Sequence, residues 1–195
     1  AYKGIKYERQ ASLSMQEMRL PMRYRTPDLQ TLEWSQRRIE GLEGKLPQSQ
    51  PEVYAREQLL LHEMQSTEVV VQALAIGNTG IATTPTETYA LTGLKIKHMS
   101  PFENTMVFDL ANGGDGYIPP PEQHNLGGYN TWPARSAGLE RMAEPKIVEA
   151  AVTLLENVSG NSRNDQVQSV GEGTQALLAL RPIALYRLDE WAGPR

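Results

Sequence analysis

Residues 84–136 read TPTETYALTGLKIKHMSPFENTMVFDLANGGDGYIPPPEQHNLGGYNTWPARS, and this stretch decides which fold the chain can form. Glu87 stands where a short strand is predicted to give way to a helix. A β-branched strand, Thr105–Ala111, then runs into a glycine-rich turn that ends in Tyr117, and a later Gly-Gly pair precedes Tyr129. Because α/β proteins place metal and substrate chemistry on loops at strand ends, these carboxylate and phenol oxygens are candidate site groups.

The flanking sequence predicts a mixed arrangement of strands and helices, from alternating β-branched residues and from apolar residues at helical spacing. The predicted strands are 12–24, 67–76, 81–84 and 105–111, and the predicted helices are 26–44, 51–65, 86–99 and 145–158. Thr26 is the predicted N-cap of the first helix, and 119–121 is predicted to be extended. The Gly-Asn-Thr-Gly turn at 77–80 predicts a hairpin. This order predicts an α/β fold of mixed α+β layers, a partial mixed sheet with flanking helices that belongs to a larger catalytic domain.

Composition excludes several classes of function. The chain has 195 residues with 19 Lys and Arg against 23 Asp and Glu, a net charge of −4, so we predict no nucleic-acid partner. It contains no cysteine, which excludes disulfides, thiolate metal sites and a cysteine nucleophile. No run approaches the roughly 20 apolar residues that a membrane-spanning helix needs.

The two ends of the sequence predict a piece of a longer protein. The first residues, AYKGIKYERQ, lack an initiating methionine and an apolar signal core. We predict one structural unit over 1–158, a flexible Gly/Ser/Asn/Gln-rich linker over 159–180, and the start of another module at 181–195. The segment PIALYRLDEW at 182–191 resembles the opening strand of LamG-like or concanavalin-type β-sandwiches.

The remaining chemically active residues give no site of their own. The three histidines, His62, His98 and His124, are scattered, and only His124 is close in sequence to the tyrosine-bearing turns. Asp115 fits a polar turn residue in GGDGY. Ser136 in PARS has no GxSxG context and no assignable histidine and aspartate partners.

Three segments together resemble the neutral/alkaline (non-lysosomal) ceramidase family, and most closely its prokaryotic members. They are AIGNTGIATTPTETYALTGLKIK at 75–97, SPFENTMVFDLANGGDGYIP at 100–119, and GGYNTWPARSAGLE at 127–140. The resemblance covers about Leu13 to Val158 and corresponds to the C-terminal part of that family's catalytic domain. One departure is Thr86, where the family commonly has glycine.

The resemblance implies a zinc amidase that cleaves the N-acyl bond of ceramide-like lipids. It implies that Glu87 and Tyr117 are zinc ligands and that Tyr129 supports the oxyanion. The family's nucleophilic serine, its two zinc histidines and an arginine lie in an earlier half that this sequence does not contain. The implied partners are therefore an N-acyl sphingolipid-like substrate, the missing N-terminal half, a Zn²⁺ shared with that half, and a membrane surface. A secreted, periplasmic or cell-surface location would fit this family.

Each candidate residue also has a plain structural interpretation. Glu87 could be a first-turn helix acid favoured by the helix dipole. Tyr117 could be a half-buried tyrosine at a strand end, and Tyr129 a turn tyrosine that covers the core. Three hypotheses remain open. The chain is part of a zinc amidohydrolase and inactive alone, or it is a non-catalytic structural or binding segment of a cell-surface protein on the same scaffold. The third is an unrelated α/β protein with a chance match, which would be favoured if Glu87, Tyr117 and Tyr129 did not face one cleft.

Overall fold

The computed structural model describes residues 9–164, 176 and 179–181. The chain divides into two compact units, Ala1–Asn164 and Asp165–Arg195. Most of the predicted linker, and all but the first residue of the segment predicted to open a β-sandwich, lie outside the described residues. Within the described part of the chain, no helix is long and apolar enough to cross a membrane. The following description concerns the first unit.

The elements follow the predicted order with four additional short elements, two strands, one helix and one 3-10 turn. In chain order they are β1 (Leu13–Arg23), α1 (Leu29–Glu40), α2 (Gln50–Met64), β2 (Ser66–Ile76), β3 (Thr79–Thr83), β4 (Glu87–Thr88), α3 (Ala90–Met99), β5 (Asn104–Phe108), β6 (Tyr117–Ile118), α4 (Pro121–His124), a 3-10 turn (Tyr129–Thr131) and α5 (Ala143–Ser159). The predicted fold class is confirmed, because a mixed sheet carries helices beside it.

The main sheet has the strand order β1-β2-β3-β5. β1 and β3 both pair antiparallel to β2, whereas β5 pairs parallel to β3. The hairpin between β2 and β3 is closed by two residues, since Ile76 pairs with Thr79. Gly77 has a φ of +55° in this turn, which a residue without a side chain adopts at little cost.

One face of this sheet forms the core and the other face is open. On the buried face, Val69, Val71 and Ala73 of β2 join a cluster with residues of α5, including Ile147 and Leu155. On the open face an apolar row crosses all four strands in register, formed by Met15, Leu74, Ile81 and Met106. Met15 and Met106 in this row are more than half exposed, as is Phe108 in β5. This face therefore presents an apolar surface that the described residues leave uncovered.

Two local predictions were wrong. The N-cap of α1 is Asp28 rather than Thr26, because the Asp28 carboxylate accepts a hydrogen bond from the Thr31 amide at 2.7 Å. The proline run is not extended throughout, because Pro121 starts the short helix α4, a position at which proline's missing N–H costs nothing.

Candidate functional site

A separate two-stranded sheet brings Glu87 and Tyr117 together. β4 and β6 run parallel, and Glu87 is the direct partner of Tyr117. The Glu87 amide donates to the Gly116 carbonyl at 3.1 Å, and the Tyr117 amide donates to the Ser136 carbonyl at 2.8 Å. Neighbouring residues in a parallel pair project to the same side. The carboxylate and the phenol therefore share one surface, and the carboxylate lies close enough to help raise the pKa of the phenol.

The backbone before Glu87 is held in an unusual conformation. Thr86 has a φ of +53° and is almost fully buried. Its hydroxyl donates to the Gly116 carbonyl, and its own carbonyl accepts from the Leu110 amide at 2.7 Å. A left-handed conformation costs a β-branched residue roughly 1–2 kcal/mol. These contacts therefore fix a strained residue directly beside the candidate site.

This conformation corrects the prediction that a helix begins at residue 86. A left-handed residue cannot continue a right-handed helix, so α3 begins at Ala90 and Glu87 lies in a strand. The interpretation of Glu87 as a first-turn helix acid is therefore wrong. Its carboxylate is placed by the β4–β6 pair instead.

Tyr129 reaches the same surface from a glycine turn. Gly127 and Gly128 have φ values of +76° and +101°, which lets the chain reverse into the 3-10 turn that starts at Tyr129. The Tyr129 hydroxyl lies 3.3 Å from the Tyr117 hydroxyl. Their rings pack edge to face with centroids 5.4 Å apart. The structure thus brings the three predicted site residues, Glu87, Tyr117 and Tyr129, into one cluster.

The hydrogen bonds of this cluster favour a neutral phenol. The hydrogen bond with Tyr129 is the main cause that raises the pKa of Tyr117 above its ordinary value. The hydrogen bond to Glu87 and the negative charge of its carboxylate act in the same direction. A phenolate at residue 117 would therefore need a nearby cation to offset the carboxylate.

Sequence reasoning missed the residues that hold the Tyr129 turn. The Asn130 amide donates to the Tyr89 hydroxyl, which joins this turn to the start of α3. Burial is the main cause that raises the pKa of Tyr89, followed by the charge of Tyr129. Position next to Tyr129 is the only sequence signal that could have pointed to Asn130.

The loop that follows Tyr129 is tied to the helical layer by polar contacts. The Arg135 guanidinium donates to both oxygens of the Glu57 carboxylate at 2.9 and 2.8 Å. The Gln58 amide on the same helix, α2, donates to the Pro133 carbonyl at 2.7 Å. These bonds set the position of the segment that carries Tyr129 and of the Ser136 carbonyl that pairs with β6.

The other candidates from the sequence have structural roles. Asp115 accepts a hydrogen bond from the Tyr24 hydroxyl at 2.5 Å, and burial is the first cause that raises the pKa of Tyr24 to about 12. Ser136 contributes its backbone carbonyl, as above. His62 and His98 are exposed on helices, whereas His124 is buried in α4. Among the described residues, no three His, Cys, Asp or Glu side chains form a group that could hold a metal ion.

Comparison with known proteins gives a structural likeness but no match in sequence families. No protein-family model matches the chain, and no curated protein matches it. A solved structure of neutral ceramidase from Pseudomonas aeruginosa is similar at 14% sequence identity with a TM-score of 0.48. The match covers 81% of this chain and 30% of that one. A similarity this low defines neither the family nor the reaction of this chain.

Proposed function

We propose that this chain contributes the C-terminal part of a zinc-dependent amidohydrolase domain of the neutral ceramidase type. Glu87 and Tyr117 would provide two zinc ligands, and Tyr129 would donate a hydrogen bond to the developing oxyanion. One observation carries the proposal: three oxygen-bearing residues, distant in sequence and named from the motifs alone, lie together, with Glu87 paired to Tyr117 across two strands and the Tyr117 and Tyr129 hydroxyls 3.3 Å apart.

The cluster offers some of the ligand atoms that a zinc site needs. A catalytic zinc takes about three protein ligands and keeps an open position, and carboxylate oxygen is among its usual ligands. The chain supplies a carboxylate and a phenol at adjacent positions of β4 and β6. The other ligands would come from the N-terminal half of the domain, so the proposed site is a shared one. When bound, the zinc would polarise an amide carbonyl or lower the pKa of a bound water.

The residues of this chain would then have distinct tasks. The strained backbone at Thr86 and the β4–β6 pair hold the Glu87 carboxylate in place. A cation between Glu87 and Tyr117 would remove the charge repulsion that now favours the neutral phenol. The Tyr129 hydroxyl, once released from Tyr117, would be free to donate to the oxyanion of a tetrahedral intermediate.

The open face of the sheet supports the idea of a partial domain. The apolar row from Met15 to Met106 lacks a covering layer among the described residues. Layered α/β folds bury both faces of such a sheet against helices or a second sheet. The missing N-terminal half would supply this layer along with the serine nucleophile and the zinc histidines. The N-acyl sphingolipid-like substrate and the contact with a membrane surface are proposed from the motif resemblance.

The test compares the whole gene product with the 195-residue chain. We expect the whole protein, purified with zinc, to hydrolyse a fluorescent ceramide and the isolated chain to be inactive. Glu87→Gln and Tyr117→Phe should reduce bound zinc and activity together, whereas Tyr129→Phe should lower kcat about 10²-fold with zinc retained. Glu63→Gln and Tyr54→Phe, outside the cluster, are the matched controls. Turnover by the isolated chain, or full zinc content in both ligand variants, would contradict the proposal.

A further inference from the structure

A cavity lies between α1, α2 and the segments 25–27 and 132–133. It has a volume of about 520 Å³, within the range of small-molecule sites. Three aromatic side chains, Trp34, Tyr54 and Trp132, form its apolar walls. Tyr54 and Trp132 pack edge to face with centroids 5.4 Å apart, so these walls are already ordered against each other. We call this cavity the aromatic cleft.

Arg25 places a positive charge at the edge of the aromatic cleft. Its two terminal nitrogens donate to the Thr131 carbonyl at 2.9 Å and to the Ala137 carbonyl, which fixes the guanidinium plane. The Nε atom is buried and has no acceptor among the residues that the structure describes. Within the described part of the chain, no carboxylate forms an ion pair with Arg25.

The charge that acts on Arg25 comes from a second arginine, Arg141. Burial and then the charge of Arg141 lower the pKa of Arg25 to about 10. His124 is about nine-tenths buried, and its Nδ1 has no partner among the described residues. Burial lowers the pKa of His124, with further contributions from Arg25 and Arg141. A partly buried cation without a counter-charge is costly, so this arrangement favours a bound anion.

We propose that the aromatic cleft binds a small organic carboxylate with a flat apolar body, with Arg25 pairing to the carboxylate. Each terminal nitrogen of Arg25 carries a second N–H that its carbonyl bond does not use, and a charged N–H donates strongly to a carboxylate. The aromatic walls match a ring or short hydrocarbon body. An inorganic anion would leave the three aromatic walls exposed, and a neutral ligand would leave the charge of Arg25 uncompensated. This site is independent of the proposed zinc cluster.

The test is calorimetric titration of the 195-residue chain with 3-phenylpropionate at about pH 7. We expect a Kd of about 1 mM or tighter, a value typical of ligands with so few atoms. The neutral analogue 3-phenylpropanol and inorganic phosphate should bind at least about tenfold more weakly. Arg25→Gln should weaken 3-phenylpropionate binding about tenfold, whereas Arg37→Gln, an exposed charge on α1, should leave the Kd unchanged.

Arg25→Gln also removes donors from two backbone carbonyls and could unfold the loop. Trp34→Ala is therefore the second variant, because its side chain is 41% exposed and lines the cleft from α1. It should weaken binding while the circular dichroism spectrum stays unchanged, and Leu29→Ala on the same helix should not. Absent binding at about 10 mM ligand, equal binding of 3-phenylpropanol, or an unchanged Kd in a folded Trp34→Ala would overturn the proposal.

Discussion

The hydroxyl oxygens of Tyr129 and Tyr117 lie 3.3 Å apart, although a proline-rich segment and a short helix separate them in sequence. This contact links the glycine turn before Tyr129 to the small β4–β6 sheet. The contact with Tyr129 is also the largest cause that raises the pKa of Tyr117. The geometry of the cluster therefore predicts a raised proton affinity for the Tyr117 phenol.

Without added metal, the phenol of Tyr117 should ionise above the ordinary tyrosine pKa. Tyr129→Phe removes the largest cause of this shift, so the pKa of Tyr117 should fall in that variant. Glu87→Gln should lower it as well, because it removes the negative charge beside the phenol. A pH titration of ¹³C-labelled tyrosine followed by NMR measures these values. Glu63→Gln is the control, and a Tyr117 pKa that is equal in all variants would show that the contact is absent in solution.

Gly116→Ala should strongly destabilise the chain and disrupt the cluster. Gly116 has a φ of +75°, and a Cβ there would lie 2.2 Å from the Ser136 carbonyl oxygen. Left-handed strain and overpacking together should cost about 3 kcal/mol or more. Gly114→Ala is the matched control, because a Cβ there meets nothing within 4 Å. Urea unfolding of both variants checks this, and equal midpoints would contradict the described turn.

Lys95→Met should destabilise the contact between α3 and α5. The Glu144 carboxylate is fully buried. Its two oxygens accept from the Lys95 amine at 3.0 and 3.2 Å, and one of them also accepts from the Thr92 hydroxyl at 3.0 Å. Removing the lysine leaves a buried charge unpaired, at a cost of about 3 kcal/mol or more in the free energy of unfolding. Lys146→Met breaks a half-exposed pair with Glu140 and should cost under about 1 kcal/mol.

A double variant tests whether the unpaired Glu144 charge causes the loss of stability expected for Lys95→Met. Adding Glu144→Gln to Lys95→Met should recover much of the stability, since neither charge then remains buried. Urea denaturation of the two single variants and the double variant gives the coupling energy. Additive losses would mean that the two side chains do not interact.

The ion pair of Glu57 with Arg135 predicts a pH-dependent stability. Hydrogen bonds from the Arg135 side chain are the largest cause that lowers the pKa of Glu57. A lowered folded-state pKa stabilises the chain above the unfolded-state pKa of about 4.3, and this contribution is lost as the pH falls through the folded-state value. Glu57→Gln should therefore cost about 1–2 kcal/mol at neutral pH. The difference from the unaltered chain should shrink below about pH 4.3, as measured by urea unfolding over a pH series.

The long elements were predictable because their patterns are local. β2 was predicted at 67–76 and spans Ser66–Ile76, since alternating β-branched residues mark a strand directly. α5 was predicted at 145–158 and spans Ala143–Ser159, because its apolar residues recur at helical spacing. The β2–β3 hairpin followed from its glycine turn in the same way.

The site depends on features that leave no local pattern. Strands of two residues, such as β4 and β6, have no periodicity to detect, so the pairing of Glu87 with Tyr117 could not be read from the sequence. The left-handed backbone of Thr86 was also hidden, because β-branched residues rarely adopt it. Arg25 and its two carbonyl partners are more than 100 positions apart. Contacts of this kind arise from tertiary packing alone.

The left-handed conformation of Thr86 restrains the backbone directly before Glu87. Glycine would adopt a φ of +53° without penalty, but it would also let the backbone rotate freely at the residue before the carboxylate. The threonine hydroxyl instead ties this residue to the Gly116 carbonyl. The chain thus gives up some folding stability, and the backbone that carries the Glu87 carboxylate is restrained to one conformation.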